Sequence, residues 1–140
     1  MKLLTLPLVC LLFSGCSFLS ELFIQNRSKT TDVVVTITYK IPRAEFVRKE
    51  AGMSYVPQIV TPKQYRRDKQ KAALAVTNRS DSTISILVPA SSTARITSTS
   101  SNKSYGDQIL KVSHNGKHIP IKELLAISKR YRWDYVYITE

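Results

Sequence analysis

The sequence has few of the residues on which recognisable active sites depend. Its two cysteines, Cys10 and Cys16, stand near the N-terminus and none follows. The rest of the chain can therefore form no disulfide of its own and offers no thiol nucleophile. Four glycines are too sparse for a phosphate-cradling loop, and no Gly-x-Ser-x-Gly turn is present. Histidine occurs twice, at His114 and His118, on either side of Asn115-Gly116. That dipeptide is a strong signal for a two-residue hairpin turn. In such a hairpin His114 pairs with Lys117 and His118 with Ser113, and adjacent pairs point to opposite faces, so the two rings do not converge on one metal. The carboxylates show no spacing that marks an acid/base pair. No catalytic residue, metal or cofactor is expected. Acidic side chains are also scarce: ten Asp and Glu face twenty-one Lys and Arg, a formal charge of +11. Such a field favours anionic partners.

Long hydrophobic runs are missing too, with one exception at the start. Lys2 is followed by an apolar run from Leu3 to Phe13, interrupted by Thr5 and Pro7, and then by Ser14, Gly15 and Cys16. A charge, a greasy stretch and small residues in that order make a secretory signal. The run falls short of the roughly 20 residues a membrane-spanning helix needs. Leu12-Phe13-Ser14-Gly15-Cys16 resembles the lipobox of bacterial lipoproteins; it matches at Ser14, Gly15 and Cys16 and carries Phe13 where the pattern usually has Leu. The resemblance implies cleavage before Cys16, a diacylglycerol thioether on that residue, and a further acyl chain on the new amino terminus. Two or more chains anchor a protein stably, whereas one does not. Ser17 stands where an Asp favours inner-membrane retention, so the resemblance implies the outer membrane, with the domain facing the periplasm. The expected organisation is a signal peptide over 1–15, a lipidated tether over 16–21 and a single domain over 22–140. A nucleic-acid partner is not expected for an exported chain.

After the anchor, β-branched residues alternate. Val33, Val35, Ile37 and Tyr39 share one face of a strand and Val34, Thr36 and Thr38 the other; Ile84, Ile86 and Val88 repeat the pattern over 83–88, ended by Pro89. Further strands are expected at 22–25, 94–99 and 109–113. Phe23-Ile24-Gln25-Asn26-Arg27-Ser28 echoes Ala75-Val76-Thr77-Asn78-Arg79-Ser80, and each is followed by an alternating strand. The echo predicts two related hairpins. Ser and Thr fill half of residues 77–104, yet the alternation persists, which reads as solvent-facing strand positions.

Two segments carry candidate binding residues. Residues 40–71 hold nine Lys or Arg against Glu45, Glu50 and Asp68, with Pro42, Pro57 and Pro62 breaking regular structure. Thr61-Pro62 can open a helix running to about Gln70, Thr as cap and Pro in the first turn. Lys63, Arg66, Arg67, Lys69 and Lys71 are the candidates for contact with an anionic envelope surface; otherwise this is an elaborated, solvated crossover. Near the C-terminus, 121–128 reads as a short helix or a continued strand. Tyr131, Trp133, Tyr135 and Tyr137 follow at period two and would line one face of a single strand. Such a ladder covers a core or, alternatively, stacks on sugars or docks a partner.

Together these features predict an all-β, Ig-like or transthyretin-like sandwich of about seven to eight strands with one or two short helices. The expected function is that of a non-enzymatic envelope lipoprotein, an accessory or scaffold module that binds an envelope protein, a glycan or an anionic surface. The alternative is a lipid-anchored periplasmic hydrolase with a site that the sequence does not display.

Overall fold

The computed structural model describes residues 18–100 and 104–140; the expected signal peptide, the expected lipidation site Cys16 and the following Ser17 lie outside the described residues. The elements run β1 (Leu19–Asn26), β2 (Val33–Tyr39), α1 (Arg43–Glu50), β3 (Ser54–Val56), α2 (Pro62–Arg67), β4 (Ala72–Ala73), β5 (Ala75–Arg79), β6 (Thr83–Val88), β7 (Ser92–Ser100), β8 (Ile109–His114), β9 (Lys117–Pro120), α3 (Ile121–Ile127), β10 (Lys129–Tyr131) and β11 (Asp134–Thr139). A 3-10 turn at Tyr105–Asp107 precedes β8. The fold is an all-β sandwich. One sheet has the order β10-β11-β1-β7-β3-β4, the other β5-β6-β2-β8-β9.

The alternating segments become the inner lining. Val33, Val35, Ile37 and Tyr39 of β2 and Ile84, Ile86 and Val88 of β6 are buried, facing Leu22 and Ile24 of β1 and Ala94 and Ile96 of β7 from the other sheet. β1 departs from alternation, because every residue from Glu21 to Asn26 is buried. Its second face carries Phe23, which packs in a separate cluster with Val136 of β11, Val56 of β3 and Tyr65 of α2. A strand covered on both sides reads as a continuous apolar run, as 22–24 does.

Among the described residues eleven strands exceed the expected seven to eight; β3, β4 and β10, of two or three residues each, make up the excess. Three helices among the described residues replace the expected one or two. The unexpected one is α1, and Pro42 starts it instead of breaking the chain: its carbonyl accepts from the amides of Glu45 and Phe46. A proline at a helix start surrenders no hydrogen bond, since amides there have no intrahelical partner. Phe46 then stacks on Tyr39 with centroids 4.8 Å apart, fully buried. α2 has the anticipated start, with Thr61 and Gln64 bonding reciprocally as a capping box, but it ends at Arg67 rather than Gln70 because Asp68 is extended. Residues 121–127 are helical, which decides between the two readings of that segment. Within the segment expected as a tether, 16–21, β1 begins at Leu19 and Glu21 is already interior.

The internal echo holds only in part. β5 and β6 form an antiparallel hairpin, whereas β1 and β2 lie in different sheets, so the first repeat is a corner between layers. The equivalent asparagines show why. Asn26 is fully buried; its amide donates to the carbonyls of Thr31 (2.8 Å) and Val88 (3.1 Å), and its side-chain oxygen accepts from the Ser28 amide (3.1 Å). The side chain thus ties the corner to the end of β6. Asn78 is exposed on the edge strand β5. Asn26→Ala would leave three backbone groups without their partner, and we expect a loss of about 2–4 kcal/mol in urea unfolding. Asn78→Ala should stay within about 0.5 kcal/mol of wild type, so equal effects at the two positions would refute the corner role.

Candidate functional site

β1 and β11 run parallel with Leu22 opposite Tyr135, a register that sets Glu21 beside Asp134 on the outer face of the sheet. Both carboxylates are buried, with side chains 2% and 6% exposed. Two adjacent anions out of water require cations. Arg66 of α2 supplies one: its guanidinium donates to Glu21 (2.6 Å) and to Asp134 (2.8 Å). These contacts, with Asp134 foremost, raise the guanidinium pKa above its ordinary value. Arg95 of β7 supplies the other, donating to Glu21 (3.1 Å) and to the Gly52 carbonyl (2.7 Å). The second Asp134 oxygen accepts from the Glu21 amide at 3.1 Å.

The five candidate cations therefore divide. Arg66 belongs to the ion network just described. Lys71 closes the C-terminal end of α2, its ammonium donating to the carbonyls of Arg66 (3.3 Å) and Asp68 (2.6 Å) above the Tyr65 ring. Lys63, Arg67 and Lys69 are exposed and make no ion pair among the described residues. The residues that sequence reasoning missed are Glu21, Asp134 and Arg95. A clue existed: Arg95 stands alone among Ser, Thr, Ala and Ile in β7.

The aromatic ladder is not one strand. Tyr131 pairs with Asp134 across a two-residue turn, so β10 and β11 are a hairpin and Trp133 sits in its turn. Arg132 takes φ 60°, the left-handed backbone such a tight turn requires. The reversal sends the four aromatics to different places. Tyr135 and Tyr137 face the main core, Tyr131 packs beside Val136 in the smaller cluster, and Trp133 is exposed. Tyr135 meets Tyr105 edge-on at 6.1 Å and lies under the Arg130 guanidinium. Trp133 stacks on Phe18 with ring centroids 5.1 Å apart, and its carbonyl accepts from the Ser20 hydroxyl, which ties the turn to β1.

This turn forms one wall of a groove of about 610 Å³, whose other walls are Leu19 and the start of α2 with Pro62 and Lys63. Arg66 and Asp134, already paired, form part of its lining. Trp133 also borders a second hollow of about 390 Å³ toward Tyr105, Leu125 and Arg130. The groove thus brings together two sets that the sequence kept apart: Lys63 from the basic segment and Tyr131 and Trp133 from the aromatic one. An indole beside cations without an ion pair among the described residues offers apolar stacking and anion attraction at one place.

The histidine hairpin has the predicted register, His114 opposite Lys117 and His118 opposite Ser113, with Asn115 and Gly116 at φ 47° and 73°. His118 bonds Ser113 at 2.7 Å, whereas His114 shares a 2.6 Å hydrogen bond with the Tyr137 hydroxyl of the opposite sheet. Among the described residues no group of three or more His, Cys, Asp or Glu is placed to hold a metal. Burial, and secondarily the Lys117 charge, lowers the His114 pKa. Its Nδ1 is buried and has no hydrogen-bond partner among the described residues.

Two predictions arise here. Arg66→Met leaves two buried carboxylates short of a counter-charge. Because the guanidinium itself is 48% exposed, water can partly replace it, and we expect about 2 kcal/mol lost, below the range for breaking a fully buried pair. Arg67→Met should be nearly neutral in the same urea titration; a neutral Arg66→Met would show that the network is dispensable. For His114 the folded pKa lies below the unfolded value of about 6.5, so the unfolded chain binds the extra proton first. Stability should fall as pH drops from about 7 through 6.5 toward the depressed value, and His114→Phe should flatten that part of the profile. An unchanged slope would exclude His114 as its source.

Comparison with protein-family models, with curated proteins and with solved structures returns no match, so the reading of this chain rests on its own residues.

Proposed function

We propose that this protein is a lipid-anchored envelope module, cut before Cys16, held at the outer membrane by acyl chains on that residue, and acting on the periplasmic side by binding rather than catalysis. The observation that carries the reading is where the first described strand begins. β1 starts at Leu19, three residues beyond the cysteine of the lipobox-like junction. Three extended residues reach at most about 11 Å, so an acylated Cys16 would hold the sandwich directly against the bilayer. The same strand carries Leu19 into the groove and Ser20 under the Trp133 turn.

The binding reading is preferred over a hydrolase because of the state of the nearest carboxylates. Glu21 and Asp134 are each engaged by a guanidinium, so both carboxylates are occupied within the fold and neither is free to meet a substrate. The exposed Lys63, Arg67 and Lys69 support an anionic partner, a lipid, a glycan or an acidic envelope protein. No helix among the described residues is long and apolar enough to cross a membrane, so attachment of this kind would rest on the lipid.

The test is metabolic labelling. Wild-type protein should incorporate labelled palmitate and carry a diacylglyceryl mass on its N-terminal cysteine. Cys16→Ala should incorporate none and accumulate as uncut precursor or released protein. Undiminished incorporation by that variant would reject the proposal.

A further inference from the structure

We propose that Phe18, Leu19 and Trp133, framed by Lys63, Arg130 and Arg132, form a membrane-docking face that seats the sandwich in the anionic headgroup layer of the bilayer holding the anchor. The inference rests on the lipoprotein reading and specifies what the groove meets.

Three observations carry it. The first is exposed apolar surface concentrated at one corner. Phe18, Leu19 and Trp133 are 48%, 57% and 42% exposed; two of them stack on each other, and Leu19 and Trp133 line one groove. Indole and phenyl rings bordered by cations match the interface between headgroups and acyl chains, where Trp is enriched.

The second is charge complementarity. The acid in the groove lining, Asp134, is already neutralised by Arg66. Lys63 and Arg132 line the same groove and Arg130 the hollow behind Trp133, all three exposed and without an ion pair among the described residues. Near an anionic surface each such cation strengthens attachment roughly fivefold, and the effect fades within a Debye length.

The third is reach. Phe18 lies two residues beyond Cys16, at most about 7 Å of extended chain. The headgroup layer is itself roughly 5–8 Å thick on each side of the hydrocarbon. An acylated Cys16 therefore delivers Phe18 and its Trp133 partner into that layer. The contact is intramolecular with respect to the anchor and needs little intrinsic affinity to be occupied. A free glycan gains nothing from this proximity and a second copy must still diffuse to it in the plane, whereas the bilayer is always within reach, which is why the bilayer is the occupant.

Trp133 is the only tryptophan in the chain, so its fluorescence reports this corner alone. The lipidated mature protein is reconstituted into vesicles of phosphatidylcholine, with and without phosphatidylglycerol. Flotation and the mass of the N-terminal cysteine report the anchor; quenching of Trp133 by brominated lipids and by aqueous iodide reports docking. With phosphatidylglycerol we expect a blue-shifted emission, quenching strongest from bromines near the headgroups, and shielding from iodide. High salt, or Lys63→Glu with Arg132→Asn, should remove most of this while flotation persists; Asn suits the left-handed backbone at 132. Floating protein whose Trp133 stays open to iodide and untouched by brominated lipid would overturn docking and leave the anchor standing. Protein that neither floats nor carries the lipid would overturn the anchor reading, and docking with it. Equal quenching in both vesicle types, unmoved by the double variant, would overturn the role of the cations. A blue shift that grows with protein concentration at fixed lipid would assign the face to a second copy of the chain.

Discussion

Two carboxylates side by side in the interior, Glu21 and Asp134, are the constraint around which one side of this molecule is arranged. They arise from the parallel register of β1 and β11, which cannot be slipped by one residue without turning Leu22, Ile24 and Tyr137 away from the core. Once the register is set, the charges must be answered from outside the pair. Arg95 comes from the neighbouring strand at no topological cost, because β7 is already paired to β1. Arg66 has to come from a helix laid across the sheet, and the crossover between β2 and β5 provides it.

That requirement explains why the basic crossover is ordered. Proline at the start of both of its helices, the Thr61–Gln64 capping box and the Lys71 contacts at the far end fix α2 over β1 and β11. Tyr65, one position before Arg66, fills the apolar part of the same contact against Phe23 at 5.0 Å, with its hydroxyl donating to the Ser54 carbonyl. Helix, ion network and second core are thus one contact with an apolar half and a charged half. Buried ion pairs are poor sources of net stability, but once present neither partner is dispensable.

How much of this was legible in the sequence follows from what each signal depends on. β2 and β6 were readable to the residue because one face of each is core and the other is not. The Asn115-Gly116 turn was readable because its backbone is locally determined. α1 was not, since Pro42 is compatible with either a break or a start, and the stacking of Phe46 on Tyr39 decides it. The C-terminal ladder misled for a related reason: Arg132 carries no glycine-like signal for positive φ, so period two ran across a turn that only tertiary pairing reveals. The echo between 23–28 and 75–80 was genuine in local conformation and silent on sheet membership, which Asn26 settles through Val88. At the candidate site, the cation excess was visible but not its division into paired and unpaired charges, because that depends on Glu21, a residue assigned to the tether, and Asp134, which sequence places in an aromatic strand.

The division matters for how the surface can be probed. Arg66 and Arg67 are adjacent in sequence, equally basic, and on opposite sides of the line between fold and surface: one is shared by two buried carboxylates, the other has no ion pair among the described residues. Charge reversal at Arg66 would place three anions together and test folding, whatever ligand were offered. Charge at Lys63, Arg67 or Lys69 can be altered without touching the network. The network also braces one wall of the groove, since Arg66 and Asp134 both line it. Asp134, which Arg66 holds, directly follows Trp133, and Ser20, which fastens the Trp133 carbonyl, directly precedes Glu21. The exposed indole is therefore mounted between Asp134, held by Arg66, and Ser20, whose neighbour Glu21 is held by Arg66 and Arg95. A side chain held in this way loses little conformational freedom on meeting a surface, and that preorganisation favours binding through a small aromatic corner.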